Sequence, residues 1–298
     1  MAIKVGLQMH SVREAMHLDS LAALAECAKA GYRYIQLPAR LKGDESGQLY
    51  GKSASQWKLA SQQYGVTLTG GYAKDLSEKN LDDYIAFYKE AGAEHIVIPI
   101  DYFPTMELLE RKCELYNTMG ARCKQSGLTL CYENHYHEFQ QLDGRFIFDI
   151  LMKNTDPELL SVSLNGYWLM RGLVNPLEVL KKYSNRVISL VQQDYPLAEI
   201  DKFNMWRFYR YHPIAYNIQY ENVLQGNEIE NIHPVQCELF CEIGTGILPL
   251  QPIIDLANES GNISNVFLKQ DYTRYPSEFE SIRCSAKHYR RVRGVSWD

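Results

Sequence analysis

The chain has 298 residues, of which 46% are hydrophobic and 22% are charged, which is enough apolar sequence for a large core. The formal net charge is −5, and acidic and basic residues are interspersed without a basic stripe. This pattern argues against nucleic acid or an anionic membrane as the main partner. We therefore expect a small neutral or polar ligand.

The seven cysteines are scattered and include no CxxC pair, so neither a disulfide framework nor a zinc finger is indicated. The first residues, MAIKVGLQMHSVREA, turn polar too early for the apolar core of a signal peptide. No apolar run approaches the length of a membrane span. These features predict a cytoplasmic protein.

Short apolar runs alternate with longer segments of helical periodicity along most of the chain. The strand-length runs are KVGLQM (4–9), YRYIQL (32–37), VTLTG (66–70), HIVIPI (95–100), LTLCYE (128–133), LLSVSLN (159–165), RVISLV (186–191) and NVFLK (265–269). The predicted helices span 18–31, 55–65, 80–93, 106–126, 146–154, 176–183, 250–261 and 277–291.

Eight strands and eight helices in alternation predict a parallel sheet that is covered on both faces, in the length of a closed (β/α)8 TIM barrel. An open doubly wound sheet is the alternative, but no glycine-rich phosphate turn follows the first strand. We predict an α/β fold, a TIM barrel, with residues 1–298 in a single domain.

Residues 195–240, after the seventh strand, form an insertion much longer than an ordinary loop of such a barrel. This segment is either a lid over the active site or an interface arm, and the second use would make the protein a homo-oligomer. Its aromatic character is carried by Trp206, Phe208, Tyr209, Tyr211, Tyr216 and Tyr220.

In a TIM barrel the chemistry is carried by side chains at the carboxyl ends of the strands. The stretch YENHYHEF (132–139) lies at one of these ends and contains two glutamates and two histidines. The strand ends and the residues beside them form a polar and aromatic mouth suited to a polyhydroxylated ligand. The predicted substrate contacts are His10, Tyr72, His135, His137, Asn165, Trp168, Arg171, Gln192, Asp194 and Asp271.

Five motifs occur in the order typical of one family. They are GLQMHSVRE, YENHYHEF with LDGRFIFDILMKNTDPELLSVSLNGYWLMRG, PLEVLKKYSNRVISLVQQD, EIGTGILPLQPII and VFLKQDYTRYPSEFESIRCS. Together they resemble the xylose isomerase-like TIM barrels, also called the sugar phosphate isomerase/epimerase family. That family includes inosose dehydratases and relatives of endonuclease IV.

The resemblance implies a divalent metal, often Mn²⁺, held by a glutamate, an aspartate, a histidine and a glutamate after strands five to eight. Such a metal polarises a hydroxyl–carbonyl pair so that a proton or hydride moves between adjacent carbons. Here the first ligand matches Glu133, whereas the other three positions hold Asn165, Val191 and Lys269. We therefore predict no bound metal and no other cofactor.

Lys269 stands where the metal ligand of strand eight would be, and we predict that its ammonium replaces the cation and pairs with Glu133. Glu133 and Lys269 are the predicted catalytic residues. A lysine with a lowered pKa that acts as a base or forms a Schiff base is one alternative. A shifted metal site built from His135, His137 and Glu138 is another.

The resemblance and the altered ligand set suggest an isomerase or epimerase that acts on a sugar or cyclitol without the usual metal mechanism. The alternative is a non-catalytic sugar-binding protein or partner subunit. The endonuclease branch is disfavoured, because it needs more metal ligands and a basic DNA-facing surface.

Overall fold

Eight parallel strands close into a barrel in the computed structural model, which describes residues 2–205, 225 and 237–298. The strands are β1 (Ile3–Gln8), β2 (Tyr34–Leu37), β3 (Thr67–Tyr72), β4 (His95–Ile98), β5 (Thr129–Glu133), β6 (Leu160–Asn165), β7 (Val187–Gln192) and β8 (Asn265–Leu268). Each pairs with the next, and β8 pairs with β1, where Val266 lies opposite Val5. This closure confirms the predicted barrel and excludes the open sheet.

Helices connect the strands and cover the outside of the barrel. They are α1 (Arg13–Lys29), α2 (Ala54–Tyr64), α3 (Leu81–Ala91), α4 (Met106–Gln125), α5 (Ile147–Asn154), α6 (Gly166–Arg171), α7 (Pro176–Lys182), α8 (Leu250–Ser260) and α9 (Glu278–Tyr289). All but the short α6 correspond to predicted helices. None of the described helices is both long and apolar enough to cross a membrane.

Several shorter elements lie outside the alternation of strands and helices. Short 3-10 helices span Met9–Val12, His137–Phe139, Leu197–Lys202 and Cys237–Leu239. Two hairpins pair Gln48–Leu49 with Lys52–Ser53 and Gln141–Leu142 with Arg145–Phe146. The last strand, Val295–Ser296, pairs with the start of β1 and ties the end of the chain to the barrel.

Helix α1 begins at Arg13, earlier than the predicted start at residue 18, and is interrupted at Asp19, whose backbone is extended. The Asp19 carboxylate accepts hydrogen bonds from the backbone N–H groups of Leu21 and Ala22, as an N-cap does. The helical periodicity begins at this cap. Sequence prediction therefore located the second segment of α1 and missed the first.

Local sequence signals explain where α2 starts and where α2 and α3 stop. Ser53 and Gln56 form a reciprocal capping box at the start of α2. Gly65 ends α2 with a φ of 64°, and Gly92 ends α3 with a φ of 82°. Both glycines occupy the left-handed region, which glycine adopts readily at the C-terminus of a helix.

Side chains fill the interior of the barrel below its mouth. The ring of Phe267 lies so close to Gly6 that a Cβ on residue 6 would come within 2.7 Å of it. Tyr72, Val97 and Cys131 pack against one another on neighbouring strands. The polar side chains discussed below lie above this packed layer, at the carboxyl ends of the strands.

The aromatic residues predicted for the insertion, from Trp206 to Tyr220, lie outside the described residues. Its two flanks are described. Tyr195, Met205, Leu239 and Phe240 pack with aromatic side chains of α6 in one buried cluster. The flanks of the insertion therefore lie against the mouth of the barrel, and both the lid and the interface arm stay predictions.

Candidate functional site

Four neighbouring strands bring the central polar residues together. Glu133 and Asn165 are the last residues of β5 and β6, while Gln193 and Lys269 directly follow β7 and β8. The carboxyl ends of parallel strands meet at one rim of a barrel, so these side chains become neighbours despite their distance in sequence.

Glu133 is completely buried and both of its carboxylate oxygens have hydrogen-bond donors. The hydroxyl of Tyr72 donates to Oε2 at 2.5 Å, and Nδ2 of Asn165 donates to Oε1 at 3.0 Å. The ammonium of Lys269 lies 3.7 Å from Oε1. The salt bridge predicted between Lys269 and Glu133 is therefore present.

These contacts extend into a closed ring of five side chains. Asn165 Nδ2 also donates to Gln193 Oε1 at 3.0 Å, and Gln193 Nε2 donates to Asp271 Oδ2 at 2.8 Å. Asp271 Oδ1 lies 3.6 Å from Lys269 Nζ, which closes the circuit back to Glu133. We call Glu133, Asn165, Gln193, Asp271 and Lys269 the mouth ring; it holds two carboxyl groups and one ammonium.

The electrostatics of the ring keep Lys269 charged. Burial disfavours its ammonium, but the carboxylates of Asp271 and Glu133 outweigh this effect and raise the pKa of Lys269. Burial raises the pKa of Glu133, against the opposing effects of Lys269, Tyr72 and Asn165. Lys269 is thus a fixed cation at neutral pH, which argues against the neutral amine that a Schiff base requires.

The residues at the four family metal positions do not fit a divalent cation. Val191 has no donor atom, and the Lys269 ammonium would repel a dication. Asn165 directs its amide N–H group, rather than its oxygen, at Glu133. Across the described part of the chain, no group of three or more His, Cys, Asp or Glu side chains is arranged to hold a metal ion.

His135, His137 and Glu138 are buried, and His137 Nε2 lies 3.4 Å from Glu138 Oε1, but the two histidine rings stack on different aromatic side chains. The ring of His135 stacks on Trp168 at 5.2 Å, whereas that of His137 stacks on Tyr102 and its Nε2 contacts the backbone oxygen of Asp101 at 2.7 Å. These three residues are not among any described group that could hold a metal. The arrangement of these three described residues thus gives the shifted metal site no support, and that site stays a prediction.

Glu138 belongs to a second buried cluster beneath the loop that follows β5. Its Oε1 accepts the Tyr132 hydroxyl at 2.5 Å, and its Oε2 accepts His135 N at 2.8 Å. Burial raises the pKa of Glu138 to about 8 and lowers that of His137 to about 4. Lys112 pairs with Asp101 instead of Glu138. We call Asp101, Lys112, Tyr132, His137 and Glu138 the β5-loop cluster.

Three predicted substrate contacts are placed away from the mouth ring. Gln192 faces a small apolar cavity between the barrel and the helices, lined in part by Pro176 and Ile253. Arg171 donates to the backbone oxygens of Lys202 and Phe203 and so anchors the segment after β7.

The third of these residues, Asp194, is buried and organises a loop. Its two carboxylate oxygens accept hydrogen bonds from the backbone N–H groups of Gly244, Gly246 and Leu248 as well as from its own neighbour Tyr195. Burial raises the pKa of Asp194, and these four N–H groups oppose that shift.

The other predicted contacts surround the ring. Tyr72 bonds to Glu133, and His10 Nε2 lies 3.9 Å from Asp271 Oδ1. Trp168 and His135 form a stacked aromatic wall beside Asn165, whose Oδ1 accepts the backbone N–H of Trp168 at 3.4 Å.

Sequence reasoning overlooked Gln193 and Asn134 as parts of the site. Asn134 links β5 to β6, because its Oδ1 accepts Asn165 N at 2.8 Å and its Nδ2 donates to Asn165 O. Gln193 shares its face of β7 with residue 191 and with Ser189, which contacts Ser163 on the neighbouring strand, but this contact is seen only in the folded barrel.

The fold and the site define a TIM barrel with a carboxylate, an amide and an ammonium joined at its mouth. Two sugar phosphate isomerase/epimerase structures from Parabacteroides distasonis are similar to it. One is 19% identical with a TM-score of 0.71 and covers 99% of this chain and 96% of its own. The other is 16% identical with a TM-score of 0.72 and covers 99% and 100%.

The IolI protein, solved with a bound zinc atom, is 14% identical, with a TM-score of 0.62 and 96% of each chain covered. No protein-family model and no curated protein sequence matches the chain. At these identities the structural likeness establishes the fold: the chain has the fold of the xylose isomerase-like sugar phosphate isomerase/epimerase barrels.

Proposed function

We propose that this protein binds a sugar or cyclitol at the mouth of its barrel and catalyses an isomerase- or epimerase-type proton transfer without a bound metal. The observation that carries the proposal is the buried Lys269 ammonium, held 3.7 Å from Glu133 and 3.6 Å from Asp271. A fixed cation in this position offers the electrostatic stabilisation that a metal supplies in such reactions.

The proposed chemistry uses the positive charge of Lys269 and the carboxyl group of Glu133, which carries the proton. A substrate carbonyl oxygen lies near Lys269, whose ammonium stabilises the negative charge that develops when the adjacent C–H bond loses its proton. Glu133 takes that proton and returns it to the neighbouring carbon, while the hydroxyl proton of that carbon moves to the former carbonyl oxygen. Epimerisation at one carbon requires a second proton donor on the opposite face. Burial, which raises the pKa of Glu133, brings this carboxyl closer to the pH at which it can exchange protons.

The mouth is also suited to recognising hydroxyl groups. The indole of Trp168, stacked on His135, offers an apolar face of the kind on which sugar rings pack. Asp271 and His10 lie at the rim, where they can accept or donate hydrogen bonds to hydroxyl groups.

A non-catalytic sugar-binding protein is the second candidate, and one observation favours it. Both oxygens of Glu133 already accept hydrogen bonds, from Tyr72 and Asn165, and Lys269 is close to one of them. A carboxylate held in this way can serve to build the pocket without ever exchanging a proton with a ligand.

Proton exchange separates the two candidates without requiring that the product be known. The protein is treated with chelator and dialysed, and its metal content is measured. It is then incubated in D₂O with aldoses, ketoses and inososes. The enzyme proposal predicts deuterium incorporation next to the carbonyl, unaffected by chelator, and its loss in Glu133→Gln and Lys269→Met. Glu158→Gln, an exposed carboxylate paired with Lys124, is the matched control.

Two other outcomes would contradict all or part of the enzyme proposal. Thermal stabilisation by a sugar without deuterium incorporation favours the binding protein. Exchange that is abolished by chelator and restored by Mn²⁺ contradicts the metal-independent mechanism.

A further inference from the structure

A cleft of about 170 Å³ opens beside the mouth ring, between the end of β1, the end of β8 and the start of α9. Asp271 belongs both to the ring and to the lining of this cleft. A ligand whose reacting carbons lie at the ring therefore has room to extend in this direction. We call this space the rim cleft; the lining residues that matter here are Arg13, Glu14, Gln270, Asp271, Tyr272 and Glu278.

The charge of the rim cleft is predominantly negative. Glu14, Asp271 and Glu278 contribute three carboxyl groups against one guanidinium, that of Arg13. Lys269 lies behind Asp271 and is 8% exposed, so it offsets part of one negative charge from within the protein. An anionic ligand entering the cleft therefore meets net repulsion at close range.

The one guanidinium of the cleft is engaged by the protein. Arg13 Nη1 donates to the backbone oxygens of Asp271 and His10, at 2.5 and 3.5 Å. Its guanidinium carbon also lies 4.6 Å from the centre of the Tyr272 ring. These contacts fix Arg13 as part of the wall, in contrast to the convergent donors of a phosphate site.

A second, independent feature of the lining is the buried amide oxygen of Gln270, which can accept a hydrogen bond. Gln270 is 4% exposed, and its Nε2 donates to the backbone oxygen of Tyr272 at 2.6 Å. Its Oε1 has no hydrogen-bond partner among the residues that the structure describes. A buried amide oxygen without a partner is unfavourable, and a donor on the ligand would satisfy it.

We propose that the rim cleft binds the end of the ligand remote from the reacting carbons, and that this end carries hydroxyl or ammonium donors and no phosphate. The inference rests on the proposed function of the mouth, which it deepens by naming the ligand class. The predominantly negative lining predicts an order of affinity in which an amine exceeds a hydroxyl, and a hydroxyl exceeds a phosphate.

A matched series tests this order. D-glucose, 6-amino-6-deoxy-D-glucose and D-glucose 6-phosphate differ only at carbon 6, and the corresponding fructose series covers ketoses. Affinities are measured by calorimetry at low and at moderate salt. We expect the amino sugar to bind at least about tenfold more tightly than the phosphate, with a smaller ratio at higher salt.

Two charge-neutralising variants test whether the preference for the amino sugar over the phosphate arises in the rim cleft. Glu14→Gln should reduce the ratio between amino sugar and phosphate at least about threefold, because it removes one negative charge of the lining. Glu158→Gln makes the same change in the loop between α5 and β6 and should leave the ratio unaltered. Gln270→Met, which removes the unsatisfied oxygen while keeping the volume, should weaken binding of the parent sugar.

Three results would overturn the inference. Tightest binding by the phosphate, lost in Arg13→Gln, would make the cleft a phosphate site and leave the proposed function standing. Equal ratios in the Glu14 and Glu158 variants would place the discrimination elsewhere. Failure of every sugar in both series to bind would overturn the inference, and the proposed function falls with it only if the aldoses, ketoses and inososes of the exchange experiment also fail to bind.

Discussion

The mouth ring and the β5-loop cluster are two largely buried groups of ionisable side chains, and they differ in how a carboxyl group is stabilised in the interior. In the mouth ring, Lys269 lies within 4 Å of both carboxylates and remains charged. In the β5-loop cluster, Lys112 pairs with Asp101, and the ion-pair partner of Glu138 among the described residues is His137. That histidine has a pKa lowered to about 4 and is neutral at pH 7.

The difference shows what a cation contributes in the interior. Glu138, without a charged partner, has its pKa raised to about 8 and holds a proton at neutral pH. Glu133, with Lys269 beside it, also has a raised pKa, but the ammonium opposes that shift. The ammonium of Lys269 thus keeps the mouth ring charged, whereas Glu138 is accommodated in the interior by holding a proton.

The largest effect is expected when Lys269 is replaced by methionine. This change leaves the buried Glu133 without its cation, in the same situation as Glu138. Breaking one side of a buried pair costs about 3–5 kcal/mol. The free energy of unfolding, measured by urea denaturation at pH 7, should fall by this amount, and by less at pH 5, where the carboxyl groups take up protons.

Lys124→Met is the control for that loss, since Lys124 pairs with Glu158 at the surface. An exposed pair contributes little, so this variant should retain nearly all of its stability. Equal losses in the two variants would show that the mouth ring gains nothing from its buried ammonium.

The second effect is the pH dependence of stability that Glu138 of the β5-loop cluster produces. The pKa of Glu138 is about 8 in the folded protein and lies near 4.5 when unfolded, so the folded state binds the extra proton between these values. Its contribution to stability is complete below about pH 4.5 and is lost as pH rises through 8. The slope for one proton is at most about 1.4 kcal/mol per pH unit.

Glu138→Gln removes this titration while it keeps the shape of a protonated carboxyl. The difference in unfolding free energy between the original protein and the variant should therefore change steadily from pH 5 to pH 8, in favour of the variant at high pH. A difference independent of pH would mean that Glu138 is ionised in the folded protein throughout this range.

The smallest effect is expected for Tyr72→Phe. The lost hydroxyl donates to Glu133 Oε2 at 2.5 Å, and a hydrogen bond to a charged group contributes about 1.5–3 kcal/mol. Because this hydrogen bond also lowers the pKa of Glu133, the variant should shift that pKa upward, which NMR titration can follow. Tyr34→Phe, whose hydroxyl contacts the exposed end of the chain, should change neither quantity.

The sequence predicted the barrel and the contact between Glu133 and Lys269, because both depend on strand order. Glu133, Asn165 and Lys269 follow apolar runs whose carboxyl ends must meet once the sheet is parallel and closed. The opposite charges of Glu133 and Lys269 then predicted their contact, without any knowledge of the loops.

The sequence could not distinguish Gln192 from Gln193, because β7 is apolar on both faces and offers no alternation to mark its inner side. Arg171 and Asp194 show a different limit. Both bind backbone groups of loops whose paths follow from tertiary contacts that the sequence does not reveal, and their role as substrate contacts stays a prediction.

The pairing of β8 with β1 also constrains how the protein folds during synthesis. Until β8 leaves the ribosome, β1 has no partner on that side, and its backbone N–H and C=O groups there stay exposed while most of the chain is made. Such long-range pairing favours slow folding and an open edge that can join other chains. Chaperone dependence should therefore be greatest just before β8 emerges.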